Sequence, residues 1–274
     1  EDLRIDNSIL SQHAESYRKI RNTFRFILGN LKDNYDDLNF EGVKVSDLSD
    51  LEKYILNRVY EIENSFQKNL KKYNFHKLYK DLLNFCNLDL SSFYFDIRKD
   101  VLYCDQINSK KRKDCILVLN ILLKCLIHWL APIFVFTTEE IYNLIKKDNK
   151  SIHQNTFPGI PKKWKNDILA EKWTELQKLK QKVNVAVEEK RAAKEIGSSL
   201  ESSIEIVTDK KNFDLLETID MAEYFITSKA RKNLNKDNKL ETKIYVKKAD
   251  GKKCSRCWKI VDDKCERCEK ASKT

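Results

Sequence analysis

Two Cys-x-x-Cys pairs, Cys254-Ser-Arg-Cys257 and Cys265-Glu-Arg-Cys268, stand seven residues apart near the end of this 274-residue chain. Each two-residue spacer lets a tight turn aim both sulfurs at one point, and four thiolates can close a tetrahedron around one zinc ion. Such a site leaves no open coordination position, so the metal's role is structural. It supplies cohesion that a short, polar segment cannot draw from a core of its own. Two other readings compete. Disulfides suit a secreted domain, but the sequence shows no charged-then-apolar leader. A redox pair needs one Cys-x-x-Cys beside a βαβ unit, not two in a lysine-rich stretch. Cys86, Cys104, Cys115 and Cys125 are scattered in apolar or helical surroundings, as buried thiols of a reducing compartment are. Zinc is the favoured reading.

The residues around the cysteines suggest a second chemistry. From Lys239 onward, 36 residues hold 12 Lys and Arg against 6 Asp and Glu, so six of the chain's ten net positive charges lie there. A four-thiolate zinc site offsets about two of them and leaves the segment basic. Lys253 and Arg256 flank the first pair, and Trp258 follows it with little apolar company. Cations neutralise phosphates and exposed aromatics stack on unpaired bases, so the segment suits a nucleic acid. A second basic set, Arg18, Arg21 and Arg25, shares one helical face near the other end. Its bland alternative is a solvated face, or arginines that hold neighbouring helices by salt bridges. His13, His76, His128 and His153 have no ligand partners at usable spacing and read as structural or solvated. There is no phosphate-cradling glycine loop and no internal repeat.

The elements that must position these residues are mainly helical. Five Gly and three Pro give the chain few turn punctuators. The spacing predicts helices from Asn7 to about Leu31, from Ser46–Asp47 through Ile62, over Phe75–Leu88, over Ser91–Tyr103, over Lys110–Trp129, and from Thr137 to about Lys147. The nearly apolar run Cys115–Phe136 could be mistaken for a membrane span. Asn120, Lys124 and His128 fall four apart in one polar stripe, and Pro132 bends its end, so it reads as a buried bundle helix. Pro158, Gly159 and Pro161 mark a linker over Asp148–Trp164. A long helix striped by Trp173, Leu176, Leu179, Val183 and Val187 follows, stopping at Gly197. Alternating runs at Ser203–Val207 and Thr242–Val246 predict strands. The fold expected is mainly α: a helical bundle over 1–150, linker and long helix over 151–200, a small α+β unit over 201–249, and a zinc knuckle over 250–274.

Several motifs carry a resemblance. Tyr17-Arg18-Lys19-Ile20-Arg21-Asn22-Thr23-Phe24-Arg25-Phe26-Ile27-Leu28-Gly29-Asn30-Leu31 resembles the first helix of the anticodon-binding domain of the bacterial-type isoleucyl-tRNA synthetases, a class I family. So does the run from Leu90-Ser91-Ser92-Phe93-Tyr94-Phe95-Asp96-Ile97-Arg98 to Tyr103. Trp129-Leu130-Ala131-Pro132-Ile133-Phe134 through Thr137-Thr138-Glu139-Glu140-Ile141 is similar to a signature shared with the valyl and leucyl enzymes. Lys190–Leu200 resembles the family's linking region, and Lys253-Cys254-Ser255-Arg256-Cys257-Trp258 its terminal zinc motif. The resemblance covers nearly the whole chain in order.

It implies a part of an ATP-dependent ligase that joins isoleucine to its tRNA, with the anticodon stem-loop of the isoleucine tRNA as partner. It also implies an upstream catalytic domain as the second partner, and a cytoplasmic setting, or an organelle in a eukaryote, with no membrane. Cys254, Cys257, Cys265 and Cys268 are the expected zinc ligands. Arg18, Arg21, Arg25, Lys253, Arg256 and Trp258 are the expected RNA contacts. The chain departs from the family in two ways: the cysteine pairs are closer together than is usual, and the His-Ile-Gly-His-like and Lys-Met-Ser-Lys-Ser-like signatures that bind ATP are missing, as is an editing domain. ATP and magnesium, and the catalytic residues, are therefore expected upstream of Glu1, leaving this piece inactive alone. The competing classes are a free-standing zinc-containing RNA-binding module, a DNA-repair enzyme with a terminal zinc finger, and a part of a valyl- or leucyl-type synthetase.

Overall fold

The computed structural model describes residues 5–32, 35–146, 150–235 and 241–272. They form two compact units, the first of Glu1–Arg98 with Lys110–Asn166, the second of Lys99–Ser109 with Asp167–Thr274.

The first unit is helical. Helix α1 spans Asn7–Leu31, opened by the Asp6 side chain, which accepts from the Ser8 amide. Its Ile20, Phe24, Ile27 and Leu31 are buried as their period predicts. Helix α2 covers Asp50–Leu70 and starts later than expected. Ser46 and Asp47 lie instead in a single 3₁₀ turn, after which Leu48 takes an extended conformation that buries its side chain. Ser49 then takes the N-cap position of the new helix, without a side-chain capping bond.

The sequence predicts two helices over 75–103, but no break occurs. Helix α3 (Phe75–Asn84) passes into a π-helical segment (Phe85–Phe95) and on into α4 (Asp96–Cys104). No Gly or Pro interrupts this stretch. The wider π turn rotates the apolar face, so that Phe85, Cys86, Leu90, Phe93, Tyr94 and Phe95 are all buried.

Helix α5 (Lys110–Leu130) is buried on most of its circumference, and its polar stripe is fully used. The Asp36 amide donates to Asn120 Oδ1 at 2.9 Å, while Lys124 meets the Asp37 carboxylate at 2.8 Å and the Leu38 carbonyl at 2.9 Å. His128 Nδ1 bonds the Lys124 carbonyl at 2.6 Å, and burial lowers its pKa. Among the described residues no helix is long and apolar enough to cross a membrane.

Helix α6 spans Val135–Ile145, beginning two residues before Thr137; Lys147, the expected end, lies outside the described residues. The stretch read as a linker belongs to this unit from residue 150 onward. Trp164 is buried against Phe40 at 5.2 Å, Phe157 packs edge-on to Phe66, and the Asn166 amide donates to Asn57 Oδ1. Aromatic burial outweighs the turn signals there.

Besides residues 99–109, the second unit holds α7 (Asp167–Ala192), whose Trp173, Leu176, Leu179, Val183 and Val187 are buried. It ends five residues before Gly197, because Lys194 takes a left-handed φ of 59° and the Glu195 amide returns to the Lys190 carbonyl. Strand β1 (Ser202–Thr208) is central, with β2 (Lys229–Leu234) parallel on one side and β3 (Lys243–Lys248) antiparallel on the other. Short helices α8 (Lys210–Glu217) and α9 (Met221–Tyr224) form the crossover from β1 to β2. The sequence did not predict β2, since Lys-Ala-Arg-Lys-Asn-Leu lacks an apolar alternation.

A buried ion pair knits the first unit. Glu52 of α2 is inaccessible to water and accepts from Arg98 Nε and Nη2, each at 2.7 Å, and from the Tyr94 hydroxyl. The pair is bidentate and water-excluded. Replacing one partner strands the other's charge. Arg98→Met is expected to destabilise the chain by about 3–5 kcal/mol in urea denaturation, and adding Glu52→Leu should restore much of that loss.

Candidate metal centre and nucleic-acid interface

The cysteine knuckle is a two-strand hairpin followed by one short helix. Strands β4 (Lys252–Lys253) and β5 (Ile260–Val261) pair antiparallel, and α10 spans Glu266–Ser272. Gly251 sets the hairpin's entry with φ of 132°, and a Cβ there would lie 2.3 Å from the Val261 carbonyl oxygen. Between the strands, the Cys254 amide donates to the Lys259 carbonyl and the Trp258 amide returns to the Cys254 carbonyl. That turn presents Cys254 and Cys257 together. Cys265 and Cys268, one before and one inside α10, complete the set.

All four sulfurs lie within 4.8 Å of one another, and Cys257 and Cys265 are 3.7 Å apart. Zinc–sulfur bonds of about 2.3 Å in a tetrahedron place sulfurs about 3.8 Å apart, so the donor set fits a four-thiolate ion. Burial pushes the Cys268 thiol up, and that of Cys257 to about 11. At Cys254 burial also acts upward, but the amides of Cys257 and Arg256 outweigh it and bring the thiol down to about 7. An incoming cation therefore meets one readily ionised sulfur and supplies the charge that the others need to ionise.

The knuckle rests on residues 99–109, which the sequence did not connect with it. Arg267 donates to the carboxylates of Asp100, at 3.0 Å, and of Asp105, and to the Asp100 carbonyl at 2.7 Å. Gln106 donates to the Lys270 carbonyl at 3.0 Å. Cys104, read as one of four scattered thiols, packs directly against the knuckle cysteines. The aspartates and the arginine lie more than 160 positions apart, and no local pattern marks them.

The expected RNA contacts separate into two groups. Arg18, Arg21 and Arg25 line one groove between α1 and α6, together with the apolar Phe24, Leu28, Ile141 and Leu144 and one acid, Glu140. Arg18 pairs with Glu15, whereas Arg21 and Arg25 have no ion-pair partner among the described residues. In the knuckle, Lys253 pairs with Glu201 at 2.9 Å, and Arg256 donates to the Cys268 and Tyr103 carbonyls at 3.3 and 3.4 Å. Those two cations therefore have structural partners. Trp258 does not lie buried over the thiols: it is 61% exposed and adopts a left-handed φ of 63°. A bulky exposed side chain in that conformation is a strained position. His13 and His76 are exposed, and His153 Nε2 bonds the Val135 carbonyl at 3.2 Å. None joins a metal-ligand cluster among the described residues.

This architecture has known relatives. A family profile described as the anticodon-binding domain of tRNA ligase matches residues 52–207, more than half of the chain, and the chain belongs to that family. The match runs from α2 through β1. Over 97% of its length the chain is 53% identical to an isoleucine–tRNA ligase of Pelagibacter ubique. Relatives of the same name from Agrobacterium fabrum and Zymomonas mobilis are 38% and 35% identical over 96% and 98% of the chain. The chain spans 29%, 28% and 29% of the length of these three curated relatives.

The hairpin geometry makes one expectation testable. Gly251→Ala should open the knuckle, because neither its φ nor its space admits a side chain. A thiol reagent should then modify the four knuckle cysteines rapidly while buried Cys86, Cys115 and Cys125 stay protected.

Proposed function

We propose that this chain is the tRNA-gripping part of an isoleucine–tRNA ligase, recognising the anticodon arm of the isoleucine tRNA. Ligation with ATP and magnesium belongs to other parts of the parent, in the bacterial cytoplasm. The observation that carries this reading is the α1–α6 groove, lined by Arg21 and Arg25, which have no ion-pair partner among the described residues, and by the apolar Phe24, Leu28, Ile141 and Leu144. Guanidinium groups suit phosphates, and apolar side chains in the same groove suit the face of an unpaired base. The profile match supports the partner class, and the relatives' names support isoleucine as the amino acid.

Zinc holds the second contact. Cys254, Cys257, Cys265 and Cys268 would bind one ion, whose contribution is cohesion alone. The closed turn then displays Trp258 outward beside a basic segment. Its strained φ and exposure favour a stacking role over a packing one. Lys253 and Arg256 border this surface, although Arg256 also ties the knuckle together.

Elemental analysis of the purified chain should find about one zinc per molecule; metal-free protein with two disulfides would reject the site. Charge reversal at Arg21 should weaken binding to an isoleucine anticodon stem-loop and flatten the salt dependence by roughly 0.7–0.9 per lost phosphate contact. Trp258→Gly should relieve the left-handed strain and retain zinc, yet lose ~1–3 kcal/mol of binding with the salt slope unchanged. Equal binding of stem-loops with exchanged anticodons would reduce the role to nonspecific charge.

A further inference from the structure

The sheet of the second unit has one covered face and one open face. Ile204, Ile206, Ser202 and Thr208 of β1 are buried, and Lys232 on the same side lies 4.1 Å from the Phe213 ring centre of α8. Side chains alternate along strands, so the intervening residues face the other way. Register groups them into three cross-strand rows. These are Lys229, Ser203 and Lys247; then Arg231, Glu205 and Tyr245; then Asn233, Val207 and Lys243.

Four cations therefore share this face with a single carboxylate. Glu205 accepts from Asn233 at 2.5 Å. Lys229 reaches Asp262 of the knuckle, and Lys247 lies 3.9 Å from Asp250. Arg231 and Lys243 have no hydrogen-bond or ion-pair partner among the described residues. In the middle row stands Tyr245, 55% exposed and without an aromatic neighbour among the described residues. The first row adjoins the knuckle, because the Ile260 amide donates to Ser228, the residue before β2, and Lys229 bonds Asp262.

This composition selects a partner. The centres of protein–protein interfaces are depleted in charged residues, and four cations on so small a face oppose that use. A duplex offers phosphates but no free base for the tyrosine ring. An unpaired strand offers both, and aromatic side chains on open sheets bind it by stacking. We propose that the open face is a further RNA-contact surface taking unpaired loop nucleotides, one base stacked on Tyr245 and phosphates on Arg231 and Lys243. The proposal rests on the reading that the chain engages an anticodon arm, and it extends the contact from the knuckle across the sheet.

The test compares binding of the zinc-loaded 274-residue chain to a fluorescent isoleucine anticodon stem-loop and to a blunt RNA duplex of the same stem. Tyr245→Ala and the strand-favouring Tyr245→Thr should weaken stem-loop binding roughly 5- to 150-fold, leaving the salt slope and duplex binding unchanged. Tyr245→Phe should bind as the wild type does. Arg231→Ala and Lys243→Ala should each reduce the salt slope by about 0.7. Circular dichroism and zinc content report whether each variant is folded. Wild-type affinity in both Tyr245→Ala and Tyr245→Thr, or equal losses for stem-loop and duplex, would overturn the proposal. If Arg21 and Trp258 prove necessary while the sheet variants bind normally, the sheet is excluded and the anticodon reading stands. A wild-type chain that binds neither RNA removes both.

Discussion

A carboxylate sealed from water organises the helical unit. Glu52 brings an acceptor into an apolar interior where an unpaired charge would be prohibitive, so its partners must all arrive together. Arg98 comes from α4, Tyr94 from the π-helical segment and Ser49 from the cap of α2, while the Cys115 sulfur of α5 lies 3.5 Å away. Each element has one position at which these groups are satisfied. Apolar packing alone tolerates sliding, whereas a bidentate guanidinium–carboxylate pair does not. The placement of α1 follows, with Phe26 stacked on Phe95 at 4.3 Å, three residues before the arginine. Arg21 and Arg25 are thus carried on a helix whose packing is locked from behind.

The bundle and the knuckle obtain rigidity differently. The bundle has α5, buried almost all round, and an aromatic network reaching from Phe66 to Trp129 and Phe157. The knuckle has almost no apolar interior: Cys257, Cys268 and Ile260 are its buried side chains. The cluster of four sulfurs and the Arg267 clamp stand where a core would be. Burial also explains the contrast among the cysteines. Cys86 is pushed up to about 12, and Cys125 well above its ordinary value, so both remain inert thiols, while at Cys254 the amides of Cys257 and Arg256 outweigh burial and bring the thiol down toward the reactive range.

Where the signal was local, the sequence was readable. The stripe Ile20, Phe24, Ile27 and Leu31 gave α1 its bounds, the four-residue spacing of Asn120, Lys124 and His128 marked α5 as a buried helix with a polar seam, and the cysteine pairs predicted the cluster. Where the deciding interaction was distant, the reading failed. The π-helical segment depends on what Phe85–Phe95 pack against, not on their order. Pro158, Gly159 and Pro161 lie in irregular chain ahead of a 3₁₀ turn at Lys162–Trp164, yet Trp164 and Phe157 decide that this stretch packs onto the helices. Strand β2 owes its existence to pairing with β1, and its lysine-rich sequence carries no apolar rhythm. Asp100 and Asp105 look like ordinary solvated acids of a helix end until Arg267 reaches them.

That last contact has a kinetic side. Asp100 and Arg267 are 167 positions apart, so the seat on which the knuckle docks is synthesised long before the cysteines that dock there. Closing so long a loop is entropically little worse than closing one half its length, but it is slow because the contact rewards the chain only once the intervening structure exists. Until then, Arg267 has not reached Asp100 and Asp105, and Cys104 lacks its packing against the knuckle cysteines. Closure of the cysteine cluster on its seat therefore comes after the bundle that supplies the seat, and Cys104 gains its cover only then.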